Sequence, residues 1–202
     1  MNQQLTFKEM RDVRSAILFG AVGAAWVIIV AIIDISSMFT PDGILVTARF
    51  AADASPGTVE VGSVSAVAAV TEARFLAPDI PWLSTAGLVM AIVARALSYL
   101  IVIACGIGVC RSLTAGRAFS RQNARLVFMA GVGLFVCTLL VYMGMTLGLN
   151  GAFASIGYET DTMPANTPAG YWPSIFAGFA LTVVAIAFRA GERLQRDTEG
   201  LV

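Results

Sequence analysis

The sequence contains no histidine, and only 13% of its 202 residues are charged. Without histidine there is no imidazole base for a Ser-His-Asp triad and no H-E-x-x-H zinc motif, and no G-x-x-x-x-G-K-[ST] phosphate loop is present. The three cysteines, Cys105, Cys110 and Cys137, show no C-x-x-C spacing, so neither a disulfide framework nor a zinc site is indicated. We therefore predict no catalytic residue, no metal and no cofactor, and we do not expect an enzyme.

Apolar residues are abundant instead, at 57% of the chain with a mean hydropathy of +0.79. One soluble core of this size could not bury so much apolar surface. A helix needs about 20 apolar residues to cross a bilayer, and four segments are long enough. We predict an all-α integral membrane protein, a four-helix transmembrane bundle with spans at about 14–37, 82–111, 122–149 and 171–190. The first span is too long for a signal-peptide core and is expected to be retained.

The distribution of Lys and Arg predicts the orientation, because cytoplasmic loops carry an excess of both. Ten cations fall at the N-terminus, between spans two and three, and in the C-terminal tail. The other side holds only Arg49 and Arg74 among several acids. We therefore predict that both termini are cytoplasmic, in a multi-pass protein of a bacterial plasma membrane.

Residues 40–80, between the first two spans, are rich in Val and Thr and predict a small β-containing extracytoplasmic insertion of two to four strands. The turn sequence ASPG stands at 54–57. The segment VTARFAAD from Val46 is echoed by VTEARFLAPD from Val70. The echo indicates either chance in an Ala- and Val-rich stretch or two strands that pair. A lone hairpin is only marginally stable, so the insertion is expected to pack on the membrane domain or on a partner.

Arg95 is anomalous because it lies near the middle of the second span. An arginine there costs about 2.5–3.5 kcal/mol, and each central Leu, Ile or Val returns about 0.3–0.6 kcal/mol. The span has twelve Leu, Ile and Val residues, so insertion is still favoured, but Arg95 should not face lipid. We predict an intramembrane polar cluster of Asp34, Arg95, Ser98, Tyr99, Thr138 and Tyr142. It would serve a solute path or a switch, or would only fix the register of the helices.

Small residues recur at four-residue spacing in the last two spans. Span three contains Gly144-x-x-x-Gly148, and span four contains Ser174-x-x-x-Gly178-x-x-x-Thr182. Such residues let helices approach closely. The ordinary use is packing within the bundle, and self-association into a homo-oligomer is the alternative.

Two polar stretches, AGRAFSRQNARL after span two and FRAGERLQRDTEGLV at the end of the chain, resemble a bacterial membrane family called domain of unknown function 2975. The matching positions are Gly116, Phe119, Ser120, Asn123, Phe188, Arg189, Gly191, Leu194, Asp197, Glu199 and Val202. The resemblance implies four spans and no assigned reaction. It also implies a helix-turn-helix regulator as a cytoplasmic partner.

Two functions remain open at this point. The first is a non-enzymatic sensory or regulatory membrane protein that binds a cytoplasmic partner and does not contact nucleic acid directly. Its interaction face would consist of Gly116, Phe119, Ser120, Asn123, Arg189, Gly191 and Arg193. Ser120 is also expected to cap the third helix. The second is a small transporter or channel, or an accessory subunit of a larger membrane complex.

Overall fold

The computed structural model describes residues 7–49, 57–61, 64–68, 72–115, 120–157 and 168–199. It contains four long helices: α1 (Phe7–Met38), α2 (Trp82–Thr114), α3 (Arg121–Ser155) and α4 (Trp172–Glu199). A short 3-10 helix, Pro168–Tyr171, precedes α4. Each of the four includes a segment long and apolar enough to cross a membrane. Each helix is also longer than the span predicted for it, because hydropathy detects only the apolar part of a helix.

Helix α2 begins where the sequence places a proline. Pro81 immediately precedes the helix, and its carbonyl accepts the backbone N–H groups of Ser84, at 2.9 Å, and of Thr85, at 3.1 Å. Proline suits such a position because it has no N–H of its own to leave unsatisfied. The sequence Thr6-x-x-Glu9 has the pattern of a capping box for the start of α1, and Thr6 lies outside the described residues.

The described residues between α1 and α2 form five strands, where the sequence predicted two to four. They are β1 (Phe39–Thr40), β2 (Gly43–Arg49), β3 (Gly57–Val61), β4 (Val64–Ala68) and β5 (Glu72–Ala77). One antiparallel sheet has the order β1-β2-β5, and β3 pairs with β4 in a separate two-stranded sheet.

The pairing of β2 with β5 joins the two echoed segments of the sequence. Thr47 lies opposite Arg74, and Arg49 lies opposite Glu72. The Arg49 Nε atom is 3.2 Å from Glu72 Oε2, on an exposed part of the sheet. Of the two explanations for the echo, the structure supports pairing. The two echoed segments form neighbouring antiparallel strands.

The chain folds into two compact units, each assembled from segments that are distant in the sequence. The first unit comprises Met1–Ile32, Val93–Leu139 and Trp172–Val202, and the second comprises Ile33–Ile92 and Leu140–Tyr171.

The core of the second unit lies between the three-stranded sheet and the parts of α2 and α3 that belong to this unit. Val46, Ala48 and Ala77 are buried on the sheet, and Leu88 and Phe153 are buried on the helices. The Phe153 ring also packs against Phe75 of β5, with centroids 5.3 Å apart. The sheet is therefore held by helix side chains, as expected for an element too small to be stable alone.

Gly43 allows the tight turn between β1 and β2. Its φ is +137°, a conformation that residues with a Cβ rarely adopt. A Cβ at this position would lie 2.7 Å from the Ala77 carbonyl oxygen of the neighbouring strand. Glycine is required here both by the backbone angle and by the close approach of β5.

Glycines also set the distance between α2 and α3 in the second unit. A Cβ on Gly144 would lie 2.5 Å from the Gly87 carbonyl oxygen and 3.0 Å from the Ala91 nitrogen. A Cβ on Gly148 would meet the Leu88 side chain. The two glycines of the Gly144-x-x-x-Gly148 motif thus serve packing within the chain.

In the first unit, α3 approaches α4 in the same way. A Cβ on Gly131 would lie 2.7 Å from the Gly178 carbonyl oxygen and 2.9 Å from Thr182 Oγ1. Gly178 and Thr182 belong to the predicted small-residue motif of span four. Helix α1 contributes Gly20, whose Cβ would meet Ile107 of α2 at 3.1 Å.

Buried small residues recur every seven positions along α2 and α3. On α2 they are Ser84, Ala91, Ser98, Cys105 and Ser112. On α3 they are Asn123, Ala130, Cys137, Gly144 and Gly151. A seven-residue repeat keeps one side of a helix against its neighbour over many turns, and small side chains bring the backbones close.

Candidate α3–α4 face and the Arg95 position

The first candidate site lies where α3 begins and α4 ends, in the first unit. Ser120 caps α3: its Oγ accepts the Asn123 N–H at 3.2 Å, and its carbonyl accepts the Ala124 N–H at 3.1 Å. A serine in this position satisfies a backbone donor that the first turn of a helix leaves open. Ser120 therefore fixes the residue at which α3 starts.

Asn123 is a predicted member of the interaction face, and the structure places its side chain in the interior. It is completely buried, at 0% relative exposure. It is one of the buried residues that recur every seven positions along α3. Asn123 is thus an interior residue near the start of α3.

Two contacts join α3 to α4 at this end. Arg121 Nε lies 3.3 Å from Glu192 Oε1. The Arg189 guanidinium lies over the Phe128 ring, 5.7 Å from its centroid, at a distance suited to a cation–π interaction. Each contact uses an arginine that belongs to the ten cations from which the orientation was predicted. They give these arginines a second role, in holding two helix ends together.

We call the surface formed by Arg121, Arg125, Phe128, Arg189, Glu192 and Arg193 the α3–α4 face. Arg125 and Arg193 are exposed on it, and neither forms an ion pair with any side chain that the structure describes. The Arg189 side chain is also exposed, while Gly191 is half-buried. The expected members Gly116 and Phe119 lie outside the described residues.

Sequence reasoning missed Arg121, Phe128 and Glu192 as members of this face. Part of the signal was present, because Arg121, Arg125 and Phe128 stand at i, i+4 and i+7 and so share one side of α3. Glu192 could not be paired from the sequence, because its partner lies on another helix.

The second candidate site is the position of Arg95 on α2. Its side chain is exposed, where the sequence predicted enclosure. Ser98, one turn along, is buried, but its Oγ donates a 2.7 Å hydrogen bond to the Arg95 carbonyl oxygen. In the described part of the chain, no hydrogen bond or ion pair of the Arg95 guanidinium is found.

The hydroxyls predicted to surround Arg95 bond to their own helix instead. Thr138 is buried, and its Oγ1 donates to the Leu134 carbonyl oxygen at 2.7 Å. A threonine in a helix readily makes this bond to the residue four positions earlier. Because its hydroxyl is satisfied within α3, Thr138 is not drawn into a polar cluster around Arg95.

The remaining predicted members of the cluster are distributed over both units. Tyr99 is 52% exposed on α2, in the same unit as Arg95. Asp34, which is exposed, and Tyr142 belong to the second unit. The Tyr142 ring meets Tyr171 edge to face, with centroids 5.5 Å apart.

Comparisons with protein-family models, curated proteins and solved structures find no match for this chain. The resemblance to the family called domain of unknown function 2975 therefore stays a prediction. Among the described residues, no group of three or more Asp, Glu or Cys side chains is placed to hold a metal ion. The two candidate sites are accordingly judged by their own geometry.

Proposed function

We propose that this chain is a multi-pass protein of a bacterial plasma membrane, with both termini in the cytoplasm, that acts as a non-enzymatic sensory or regulatory protein. The membrane part of the proposal is supported by four helices of sufficient length and apolarity. The orientation is supported by the excess of Lys and Arg at one set of loop and terminal positions.

The α3–α4 face supports a cytoplasmic binding role. The Arg121–Glu192 pair and the Arg189–Phe128 contact attach the end of α4 to the start of α3. Arg125 and Arg193 stay exposed beside these contacts. Cations held on two joined helices are ordered before a partner arrives, which lowers the entropy cost of binding. An acidic segment of a cytoplasmic protein is the complementary partner, and the family resemblance suggests a helix-turn-helix regulator.

Orientation is tested by labelling single introduced cysteines in intact cells with a membrane-impermeant maleimide. Asp42→Cys should react from outside, whereas Arg193→Cys should react only after the cells are opened. The native Cys105, Cys110 and Cys137 lie within the apolar helices, and their replacement by alanine provides the background. Labelling of position 193 in intact cells would reverse the proposed topology.

Partner binding is tested by co-purification in mild detergent, followed by mass spectrometry. Arg193→Glu and Phe119→Ala should each reduce recovery of a DNA-binding regulator at least tenfold. Arg111→Glu is the matched control, because Arg111 is an exposed cation in the last turn of α2 and is not part of the α3–α4 face. The regulatory proposal fails if no cytoplasmic protein is recovered, or if all three variants retain it equally.

A small transporter or channel receives less support from the described residues. The Thr138 and Thr146 hydroxyls of α3 donate to carbonyls of their own helix, at 2.7 and 2.9 Å. Hydroxyls engaged in this way do not by themselves line a path for a solute. Arg95 is exposed outward, which points to a neighbour on the surface of the protein.

A further inference from the structure

The Arg95 side of α2 is a charged surface in the middle of an apolar helix. Arg95 lies 13 residues after Trp82 and 16 residues before Arg111. At about 1.5 Å per residue these separations are about 20 and 24 Å along the helix axis. If α2 crosses the membrane, as proposed above, Arg95 lies near the centre of a hydrocarbon layer about 30 Å thick.

A phosphate headgroup is out of reach from this depth. Half of the hydrocarbon layer is about 15 Å, whereas bond lengths of about 1.5 Å allow an arginine side chain to extend about 7 Å. An arginine facing lipid at mid-membrane is costly and therefore rare. The group that covers Arg95 should consequently be a protein.

Within the part of the chain that the structure describes, this position on α2 is left exposed. The buried residues of this part of α2 are Ala94, Ser98 and Cys105, while Arg95 and Tyr99, one helical turn apart, are both exposed. The two exposed side chains place a guanidinium beside a phenol on the same side of the helix. This pair can donate several hydrogen bonds, and a carboxylate is the acceptor that fits them best.

A second copy of the chain cannot supply that carboxylate at the same depth. Of the thirteen acidic residues, Asp34 is the only one inside the predicted spans. It lies four residues before the end of α1, about 6 Å from that end. The other three spans contain no Asp or Glu in their sequences. The acid must therefore come from a different protein.

We infer that the exposed Arg95–Tyr99 side of α2 is the docking site for a transmembrane helix of another protein, which carries an Asp or Glu near the middle of its span. The inference rests on the proposed membrane insertion. It is independent of the cytoplasmic partner, because the α3–α4 face and the Arg95 position do not share a residue. Pairing offsets part of the cost of an intramembrane charge on each of the two helices.

The experiment replaces Tyr99 by p-benzoylphenylalanine in the full-length chain and irradiates native membranes. The photoactivated residue keeps an aromatic ring at the position of the tyrosine it replaces. Leu97 is the matched control: it is 46% exposed, close to the 52% of Tyr99, but projects to the other side of α2. We expect an adduct from position 99 whose crosslinked peptide is a transmembrane segment with a central Asp or Glu.

Dependence on the charge separates this site from an ordinary apolar contact. Arg95→Leu should reduce the adduct at least tenfold, whereas Arg95→Lys should retain most of it. Arg95→Leu removes a charge from an apolar helix, so insertion of the variant should be at least as favourable as in the natural sequence. Exchange of the partner's acid for arginine, combined with Arg95→Glu, should restore the adduct.

Several outcomes would overturn the inference. These are the absence of a protein adduct at position 99, an adduct only to lipid or to a second copy, an adduct without an intramembrane acid, or an adduct unchanged by Arg95→Leu. If cysteine labelling has established the span, such a result removes only the Arg95 docking site. If labelling contradicts the span, the membrane proposal itself falls.

Discussion

Replacing Gly144 by alanine should weaken the contact between α2 and α3 in the second unit. The added Cβ would lie 2.5 Å from the Gly87 carbonyl oxygen and 3.0 Å from the Ala91 nitrogen. Ordinary carbon–oxygen contacts are about 3.3–3.6 Å, so the helices would have to separate by about 1 Å. Both obstructing atoms belong to the backbone of α2, and a rotamer change cannot remove the clash.

The magnitude follows from two opposing terms. Overpacking of a filled interior costs about 1–3 kcal/mol, while exchanging glycine for alanine in a helix returns up to about 1 kcal/mol. Gly106→Ala on α2 isolates the second term, because the Cβ it would add meets no side chain or other helix within 4 Å. The helix-propensity gain cancels between the two variants, so Gly144→Ala should be less stable than Gly106→Ala by about 1–3 kcal/mol.

The assay is reversible unfolding in mixed micelles as the fraction of denaturing detergent rises, followed by the fluorescence of the three tryptophans. A difference of about 1.4 kcal/mol corresponds to a tenfold change in the folding equilibrium constant. Equal stability of Gly144→Ala and Gly106→Ala would refute the argument that backbone contact at Gly87 limits the approach of α2 and α3.

Three further variants test other contacts by the same unfolding assay. Phe153→Ala should lower the free energy of unfolding by about 3–5 kcal/mol, because it leaves a cavity beneath the sheet. Phe39→Ala should lower it far less, because Phe39 is 53% exposed. Similar losses of stability in the two variants would contradict the assigned core. Ser120→Ala should cost about 0.5–2 kcal/mol through loss of the cap, and Ser120→Gly only a few tenths; no difference between them would argue against the cap. A double-mutant cycle on Arg121 and Glu192 should give a coupling energy of about 0.2–1 kcal/mol. This coupling should fall with added salt, because the arginine is exposed. A larger coupling that does not depend on salt would contradict a surface ion pair.

The sequence predicted the main helices well, and it also predicted some of their starting points. Apolar length located α1, α2, α3 and α4, since crossing length and composition are properties of a local segment. Ser120 was expected as a cap, and the structure places its Oγ on the Asn123 N–H. Helix ends were underestimated because polar turns continue the hydrogen-bond ladder without adding to hydropathy.

The candidate sites were less predictable, because they depend on which helix faces which. Asn123 looks like a loop-end polar residue, yet it is completely buried. Arg95 looked like the centre of a polar cluster, yet Thr138 bonds to its own backbone and Arg95 is exposed. The Arg121–Glu192 pair joins residues 71 positions apart in the sequence. Periodicity within one helix carries no information about the rotation of its neighbour.

By itself, the sequence determined the composition of this protein as four long apolar helices with a β insertion between the first two. It also determined that the cations cluster at the N-terminus, between spans two and three, and in the C-terminal tail. Helix composition and charge distribution both depend only on the order of residues. The tertiary structure decided that β2 pairs with β5, and that Gly144 faces Gly87. It also decided that Arg95 stays on the surface of α2. None of these features follows from one segment alone, because each depends on which segments approach each other; at Gly144 the approach of α3 to α2 is limited by the Gly87 carbonyl, which a Cβ would meet.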